Sequence, residues 1–575
     1  MKKMLALLLA ILMVLSMAAC SAKEEPAKST TEETSTEKPS AETPKEEQPA
    51  AESGEKRYLK VALGLNDTLS GLKPTVTSGN GYVIQWIFAT LMRYDVETGE
   101  YVPCMAEKVD ISDDGLTYTA HLRKDANFHD GTPVTADDVI FTFNQIIIGG
   151  GMRSTKLSAI EGYDAAVAGE ADTVTGIQKV DDKTVVFTLS QPNSLFMEAL
   201  SNGCFSILPA HYFEGCDLQG IKDNAEFWSH PIGSGAYYVS ETAYPNYIVL
   251  SAYDGYFETP GIENILCTYY ADQEATYAAM IAGEIDVLSG LEEEPANNIV
   301  SQNSDIEKVI IDSTYHRLWW LNTSGVAGNG SAHPSLQNAR VRQALSMIMD
   351  RDSICQLYGD LAVPANSHIN INMDEYNKAL PEIKRDVEAA KQILEEEGFD
   401  FNTPLRLYAN YADQITADFM ELTVQMLAEA GVQATYVIDA NWQEYLATTD
   451  YDFRYAANMT NNVVDFYNTF EGAAPGSTGN AGSNFDVENP EKEAERQARY
   501  VDLVRAWKST LDAGERQKIL DQLQLNAYED MYCINLYSLN IVNLYNTAHV
   551  TGYPIFARDY EEIVDFHYSD WQFVG

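Results

Sequence analysis

The sequence predicts an α/β fold, because stretches with the two-residue period of a strand alternate with stretches that have the period of a helix. Residues 58–63 alternate as a half-buried strand does. Val341, Leu345 and Ile348 lie on one face of a predicted helix. No repeat of about 20 to 50 residues is visible, which excludes an obvious solenoid.

Turn sequences separate the elements of the first half. The turn at 78–81 predicts a helix over about 83–92, and the Asp-Asp-Gly turn at 113–115 leads into a strand over 116–122. Thr135 is the expected N-cap of a helix, with Asp138 completing a capping box. A second Asp-Asp turn introduces a strand over 184–189.

The second half contains a predicted β-α-β unit. A helix over 387–394 is expected to end at Gly398. Beyond it, 405–408 form a strand, 419–427 form a helix that ends at Gly431, and 432–438 form the next strand. The crossover between these two strands is expected to be right-handed.

Charge excludes one class of partner. The 575 residues carry 38 Lys and Arg against 85 Asp and Glu, a formal net charge of −47. Tight nucleic-acid binding needs a basic face that neutralises phosphates, so nucleic acid is excluded as a partner. Residues 58–575 hold 30 of the basic and 75 of the acidic groups, so the charge belongs to the folded part.

The N-terminus predicts export and a lipid anchor. Two lysines precede an apolar run over 4–17, which is shorter than the roughly 20 residues of a spanning helix and typical of a secretion signal. Two alanines before Cys20 resemble a bacterial lipobox, which predicts a signal peptide over 1–19 and a lipid on Cys20. The alternative is an ordinary signal peptide with an incidental Cys20.

Residues 20–57 are predicted to be a disordered, lipid-anchored tether. After Cys20 they contain no Val, Leu, Ile, Met or aromatic residue, so they have nothing to bury.

Six further cysteines follow at Cys104, Cys204, Cys216, Cys267, Cys355 and Cys533. Their scatter and the lack of C-x-x-C argue against zinc, while free thiols and disulfides remain equally open, with Cys204–Cys216 the closest pair in sequence.

The sequence contains none of the common catalytic or metal-binding motifs. H-E-x-x-H, G-x-x-x-x-G-K-[ST] and G-x-S-x-G are missing. His129-Asp130 is followed by Gly-Thr-Pro, which is turn chemistry, so we expect a structural role. Acidic runs at 292–294 and 395–397 lack the spacing of a Ca²⁺ loop. We therefore predict no catalytic residue, metal site or cofactor, and a protein that is not an enzyme.

Four segments carry a family resemblance. In chain order they are 113–139 (DDGLTYTAHLRKDANFHDGTPVTADDV), 231–237 (PIGSGAY), 283–286 (GEID) and 341–345 (VRQAL). Together they resemble the large solute-binding proteins of ABC importers, which take up oligopeptides, dipeptides, nickel complexes and some oligosaccharides. The resemblance covers about 58–575.

The resemblance implies a periplasmic-binding-protein-like fold of two α/β lobes joined by a hinge, with an extra subdomain inserted in lobe I. Lobe I would comprise 58–80, 200–316 and 530–575, the insert 81–199, and lobe II 317–529. Hinge closure would enclose a ligand between the lobes.

In peptide-binding members of the family, a lobe II segment supplies an aspartate that pairs with the peptide's ammonium group. Tyr451-Asp452-Phe453 matches the start of that segment, but Asn461 stands where the aspartate is expected, and Asp465 would replace it only if the loop is shifted. A neutral amide loses a charge-assisted bond to an ammonium group. This departure argues against simple peptide binding.

The predicted ligand-binding residues are Ser78, Gly79, Asn80, Trp319, Tyr455, Asn458, Met459 and Asn461. The asparagines would give an amide-rich cavity suited to hydroxyl or backbone amide groups, unless they are turn formers that point outward. Trp319 would stack on the ligand, or would simply belong to the core.

The resulting hypothesis is a monomeric, lipid-anchored protein on the extracellular face of the cell membrane. It would capture a peptide or peptide-like solute and deliver it to an ABC permease and its ATPase subunits. An oligosaccharide-binding member of the same family is the alternative, favoured by the aromatic residues and Asn461. A secreted lipoprotein enzyme is less favoured, and a sensor or chaperone with the same fold is also open.

Overall fold

The structure is a computed structural model. It describes residues 56–64, 80–95, 98–151, 153–291, 293–311, 315–323, 332–371, 373, 375–441, 451–459, 463–464, 466–467, 470, 490–552 and 567–575. Cys20, the predicted signal peptide and nearly all of the predicted tether lie outside these ranges. Arg57–Gly575 forms one compact unit by its internal contacts.

The sheet of lobe I takes strands from both ends of the chain. Within the described residues its spatial order is Ile306–Ile311, Ile541–Asn546, Val287–Leu291, Leu59–Gly64, Asn264–Tyr270, Tyr247–Ala252 and Tyr237–Ala243. The first strand in the chain carries Leu59, Val61 and Leu63 into the core of the lobe, which is the alternation that the sequence predicted. It pairs in parallel with the strand that follows it in the spatial order.

The sheet of lobe II has six strands in the part of the chain that is described. Their order is Ala362–Pro364, Cys533–Leu539, Tyr315–Leu321, Phe453–Met459, Leu405–Ala409 and Ala434–Ile438. The last two pair in parallel and are joined by the helix Gln414–Glu429, which confirms the predicted β-α-β unit.

The inserted subdomain is a four-stranded sheet with a helix against it. The strands lie in the order Ala106–Ile111, Thr117–Leu122, Thr184–Thr188 and Ile177–Asp181. The helix Ala136–Ile148 buries Val139, Phe143 and Ile146, the stripe that its sequence indicates. The Asp138 carboxylate accepts a hydrogen bond from the backbone N–H of Thr135 at 2.8 Å, so the predicted capping box is present.

Two short antiparallel ribbons complete the strands: Met92–Asp95 with Glu100–Pro103, and Val550–Thr551 with Gln572–Phe573. The remaining α-helices are Asn80–Ile87, Tyr163–Val167, Phe196–Ser201, Leu218–Lys222, Ala225–Ser229, Gln273–Ile281, Glu293–Gln302, Ala339–Ile348, Arg351–Cys355, Val387–Glu396, Pro490–Arg496, Asp502–Ser509 and Ala513–Asp530. Short 3₁₀ segments lie at Ser154–Leu157, Gly203–Phe205, Pro334–Gln337 and Gln356–Leu361, and a π segment at Gln497–Val501.

The structure shifts some of the predicted boundaries. The helix expected over 83–92 is Asn80–Ile87, because the chain must turn before the strand that starts at Met92. Val83, Ile84 and Trp86 of this helix pack in the core of lobe I, whereas the core of the inserted subdomain begins at Ala89.

The chain passes from the lobe II sheet to the lobe I sheet at a single residue. Cys533–Leu539 lies in the second sheet and Ile541–Asn546 in the first, with Asn540 between them. The returning segment of lobe I therefore starts about ten residues later than the boundary expected at residue 530.

Two of the signature segments, 113–139 and 231–237, are joined by hydrogen bonds and have a structural role. The His129 backbone N–H donates to Gly233 O at 2.8 Å, and its Nε2 lies 3.1 Å from Gly235 O. Burial lowers the pKa of His129 to about 4, so the imidazole is neutral at physiological pH. Asp130 faces away toward His211, at 2.8 Å.

Asp286, the last residue of the GEID segment, is also structural. Its fully buried carboxylate accepts from the Lys60 backbone N–H at 2.8 Å and lies 2.8 Å from Nδ1 of His549. Burial raises the pKa of Asp286, and the nearby His549 opposes that rise. The carboxylate thus ties the first strand of lobe I to the C-terminal part of the chain.

The six cysteines after Cys20 are free in the structure. The pairing considered for Cys204 and Cys216 is not formed, because Cys204 is buried in the subdomain core while Cys216 packs against the core of lobe I. Burial raises the pKa of the Cys355 and Cys533 thiols to about 12, so both are protonated and unreactive. Across the described ranges, no helix is long and apolar enough to cross a membrane.

Candidate functional site

A cavity of about 600 Å³ lies between the two lobes, beside Asn540, where the chain returns from lobe II to lobe I. Its volume falls within the roughly 300–1,000 Å³ of small-ligand sites. It is lined by Gly290, Leu291, Glu293, Glu294, Asn297, Asn298, Ser301, Arg317, Leu357, Tyr358, Gly359, Leu361, Asp413, Ile415, Thr416, Leu539, Asn540 and Ile541. Residues of both lobes, and residues 539–541 between them, therefore line the cavity.

The lobe I wall includes one face of the helix Glu293–Gln302, whose N-terminus favours negative charge. Glu293 reaches across the cavity floor to lobe II: its Oε2 accepts a hydrogen bond from the Asp360 backbone N–H at 2.6 Å, and Oε1 lies 3.3 Å from Nζ of Lys308. Burial acts to raise the pKa of Glu293, but these two contacts outweigh it and hold the pKa below its usual value. Glu293 is thus an ionised bridge between the lobes.

Gly359 gives the Glu293 carboxylate the space that it occupies. Its φ of +60° and ψ of −134° lie in a region that residues with a Cβ rarely adopt. A Cβ at this position would overlap with the Glu293 carboxylate group. The loop that carries it follows the helix Arg351–Cys355, so the sequence of lobe II shapes the contact with lobe I.

Arg317 projects from the lobe II wall. It lies in the strand Tyr315–Leu321, where it pairs with Ala457 on one side and Tyr537 on the other. The register with the strand Cys533–Leu539 shifts directly after Arg317. Such bulges are common beside functional sites, where they redirect a side chain.

Tyrosine rings surround the guanidinium of Arg317. The Arg317 Cζ lies 4.2 Å from the ring centre of Tyr411 and 5.5 Å from that of Tyr455. The hydroxyl groups of Tyr358, Tyr455 and Tyr537 form a chain, with O–O distances of 3.1 and 2.5 Å. Burial raises the pKa of all three tyrosines, so the chain is neutral at physiological pH.

The Arg317 guanidinium has no anionic partner among the described residues. Its Nε and Nη1 atoms are buried and form no hydrogen bond there. Nearby carboxylates are already engaged: Asp413 caps the helix Gln414–Glu429 by accepting from the Thr416 backbone N–H at 2.7 Å. A positive charge therefore lines the cavity without compensation from this part of the protein.

Asp452, in the segment that resembles the family's peptide-binding stretch, is part of the framework of lobe II. It is fully buried and accepts bonds from Nε and Nη2 of Arg406, each at 2.9 Å. It also accepts from the backbone N–H groups of His333 and Arg406, at 2.6 and 2.8 Å. This cluster fixes the start of the strand Phe453–Met459.

Two of the predicted ligand-binding residues lie in the core of lobe II. Trp319 is fully buried and packs on Phe419 at a ring distance of 5.3 Å, and its Nε1 has no hydrogen-bond partner within the described ranges. Tyr455 is also fully buried, but its ring centre lies 5.5 Å from Arg317 Cζ and its hydroxyl group lies 3.1 Å from that of Tyr358. Tyr455 therefore contacts Arg317 and Tyr358, two residues that line the interlobe cavity.

The other predicted contacts stay predictions. Asn80 begins the helix Asn80–Ile87, and Asn458 and Met459 end the strand Phe453–Met459, opposite His316 and Tyr315. Ser78, Gly79, Asn461 and Asp465 lie outside the described residues. The same described part of the chain contains no group of three or more His, Cys, Asp or Glu side chains that could hold a metal ion.

Sequence reasoning missed Arg317, Glu293, Tyr358 and Gly359 as cavity residues. A signal for Arg317 was present, because a charged residue shares one strand face with Trp319 inside a mostly apolar strand. The contact between Glu293 and Gly359 had no such signal, since it joins residues 66 positions apart through the packing of two lobes.

Comparisons with known proteins place this architecture in a family. The model for bacterial extracellular solute-binding proteins, family 5 Middle, matches residues 100–484, a span that contains all four signature segments. The chain is 28% identical over 402 residues to the dipeptide-binding protein of Escherichia coli strain K12, covering 65% of this chain and 71% of that protein. It is 27% identical over 498 residues to di/tripeptide-binding protein 4 of Pseudomonas aeruginosa, covering 82% and 87%.

A solved structure agrees in fold. The ABC transporter substrate-binding protein CtaP from Listeria monocytogenes matches with a TM-score of 0.72 at 24% sequence identity, over 88% of this chain and 99% of that one. This likeness confirms the predicted architecture of two α/β lobes with a subdomain inserted in the first. Because the family model covers well over half of the sequence, the chain belongs to the bacterial extracellular solute-binding proteins of family 5.

Proposed function

We propose that this protein captures a peptide or peptide-like solute between its lobes and delivers it to an ABC permease and its ATPase subunits. The observation that carries the proposal is the cavity of about 600 Å³ whose walls come from both lobes. A ligand held there contacts residues on either side of the chain crossing, so its binding favours one relative position of the lobes. The permease would recognise that position as the loaded state.

The names of relatives supply the solute class. The Escherichia coli relative is a dipeptide-binding protein and the Pseudomonas aeruginosa relative a di/tripeptide-binding protein. Amide groups at Asn297, Asn298 and Asn540 line the cavity and suit the N–H and C=O groups of a peptide backbone. The protein performs no chemistry on its solute in this proposal.

Thermal unfolding with small ligands tests the solute class. At 100 times its dissociation constant, a ligand that binds only the folded state adds about 2.7 kcal/mol to stability. We therefore expect members of a di- to pentapeptide library to raise the melting temperature of the purified full chain. A parallel library of di- to pentasaccharides is the control. Stabilisation by saccharides without stabilisation by any peptide would overturn the peptide proposal in favour of an oligosaccharide.

We further propose that the chain is anchored by a lipid on Cys20, on the extracellular face of the membrane. In bacterial cells fed a radiolabelled fatty acid, the wild-type chain is expected to carry the label and to sediment with membranes. The substitution Cys20→Ala is expected to abolish labelling and release the protein, whereas Cys104→Ala, at a buried thiol, keeps both properties. Equal labelling of the Cys20→Ala variant would contradict the anchor.

A further inference from the structure

We propose that Arg317 recognises a carboxylate group of the bound solute. The inference rests on the proposed function in that it assigns the chemistry of a ligand to the interlobe cavity.

Arg317 brings a positive charge to the wall of the cavity. A guanidinium group remains protonated in proteins and presents five N–H donors. Arg317 keeps two of its nitrogen atoms buried without a hydrogen-bond partner among the described residues. Buried charges are ordinarily paired, so an arginine that lines a ligand cavity without a partner points to an anion that arrives with the ligand.

Aromatic rings restrict the orientation of the Arg317 side chain. Tyr411 and Tyr455 hold the guanidinium from its sides, and the strand register shifts directly after Arg317. The rings restrict the side chain before any ligand binds, which lowers the entropy cost of recognition. Cation–π contact also stabilises the charge without neutralising it.

The carboxylates that line the cavity, Glu293, Glu294 and Asp413, are not partners of Arg317. Glu293 binds the Asp360 backbone N–H and Lys308, and Asp413 caps a helix. Glu294 lines the cavity but is exposed, and the buried Nε and Nη1 atoms of Arg317 bond to no described carboxylate. The planar guanidinium matches the geometry of a carboxylate, and a peptide supplies one at its C-terminus.

Paired peptides test this inference. The probes are dipeptides and tripeptides with a free C-terminal carboxylate and the same sequences with a C-terminal amide, titrated calorimetrically into the full chain. We expect free acids to bind the wild type about 30-fold or more tightly than amides, as for a desolvated charge pair. The substitution Arg317→Met is expected to remove that preference, and Arg317→Lys to retain part of it. The control Arg340→Met removes an exposed positive charge elsewhere and leaves the preference intact.

The outcomes separate this inference from the proposed function. Equal binding of acids and amides by the wild type, or an undiminished preference in Arg317→Met with an unchanged circular dichroism spectrum, overturns the role of Arg317 while peptide binding stands. If no peptide binds, the melting temperature is measured in succinate and in inorganic phosphate. A succinate shift that Arg317→Met loses supports the carboxylate site and removes the peptide proposal. A phosphate shift alone, or no shift, overturns the carboxylate site.

Discussion

Replacing Asp452 with alanine is expected to lower the free energy of unfolding of lobe II by about 3 kcal/mol. The buried carboxylate satisfies two guanidinium nitrogen atoms of Arg406 and two backbone N–H groups. Removal of one partner from a buried ion pair leaves the other charge uncompensated, which costs about 3 to 5 kcal/mol. Arg406 is one-third exposed, so water offsets part of the loss. Urea denaturation followed by circular dichroism measures the change.

The matched control for Asp452 is Asp110→Ala. Asp110 also contacts two cationic or ionisable side chains, Lys108 and His121, but it is exposed on the inserted subdomain. We expect the Asp110→Ala protein to keep the urea midpoint of the wild type, because exposed ion pairs are screened by water. Equal effects of the two substitutions would show that the Asp452 cluster does not stabilise lobe II.

Stability is expected to fall by at least about 4 kcal/mol as the pH is lowered from 7 to 5. Burial lowers the pKa of His129 to about 4 and that of His316 to about 3, with Arg317 adding to the effect at His316. Burial also lowers the pKa of His368 well below its ordinary value of 6.5. Below pH 6.5 the unfolded chain gains protons at these histidines and the folded chain does not. His129 and His316 each contribute about 2 kcal/mol over this interval, and His368 adds to the loss in the same direction.

Urea denaturation at pH 7, 6 and 5 measures this dependence. The substitution His129→Gln should reduce the loss of stability between pH 7 and 5 by about 2 kcal/mol, whatever it does to stability at pH 7. His230→Gln alters an exposed histidine and should leave the pH dependence unchanged. A free energy of unfolding that stays constant from pH 7 to 5 would contradict the neutral, buried state of these histidines.

The fold could be predicted where local rules and packing agree. The capping box of Thr135 and Asp138 and the β-α-β unit over 405–438 both depend on patterns within a few dozen residues. The helix end at Ile87 could not be predicted, because the following strand competes for the same apolar residues. The point where the chain changes lobes depends on how strands from distant segments are ordered in two sheets.

The cavity was less predictable than the fold for a physical reason. The residues around Arg317 come from four separate segments: Tyr358, Tyr411, Tyr455 and Tyr537 approach it only after the lobe II sheet has formed. The family resemblance directed attention to 451–461 instead. Within that segment, the ring of Tyr455 lies near Arg317, whereas the buried Asp452 pairs with Arg406 inside lobe II.

The late position of Cys533–Leu539 and Ile541–Asn546 determines when this protein can fold. Each of these strands lies inside its sheet, with neighbours on both sides that come from much earlier in the chain. Until residue 546 has emerged, both sheets have a gap, and unpaired backbone groups face one another across it. A chain exported in the unfolded state would thus keep its lobes incomplete during transit and join them in one late step.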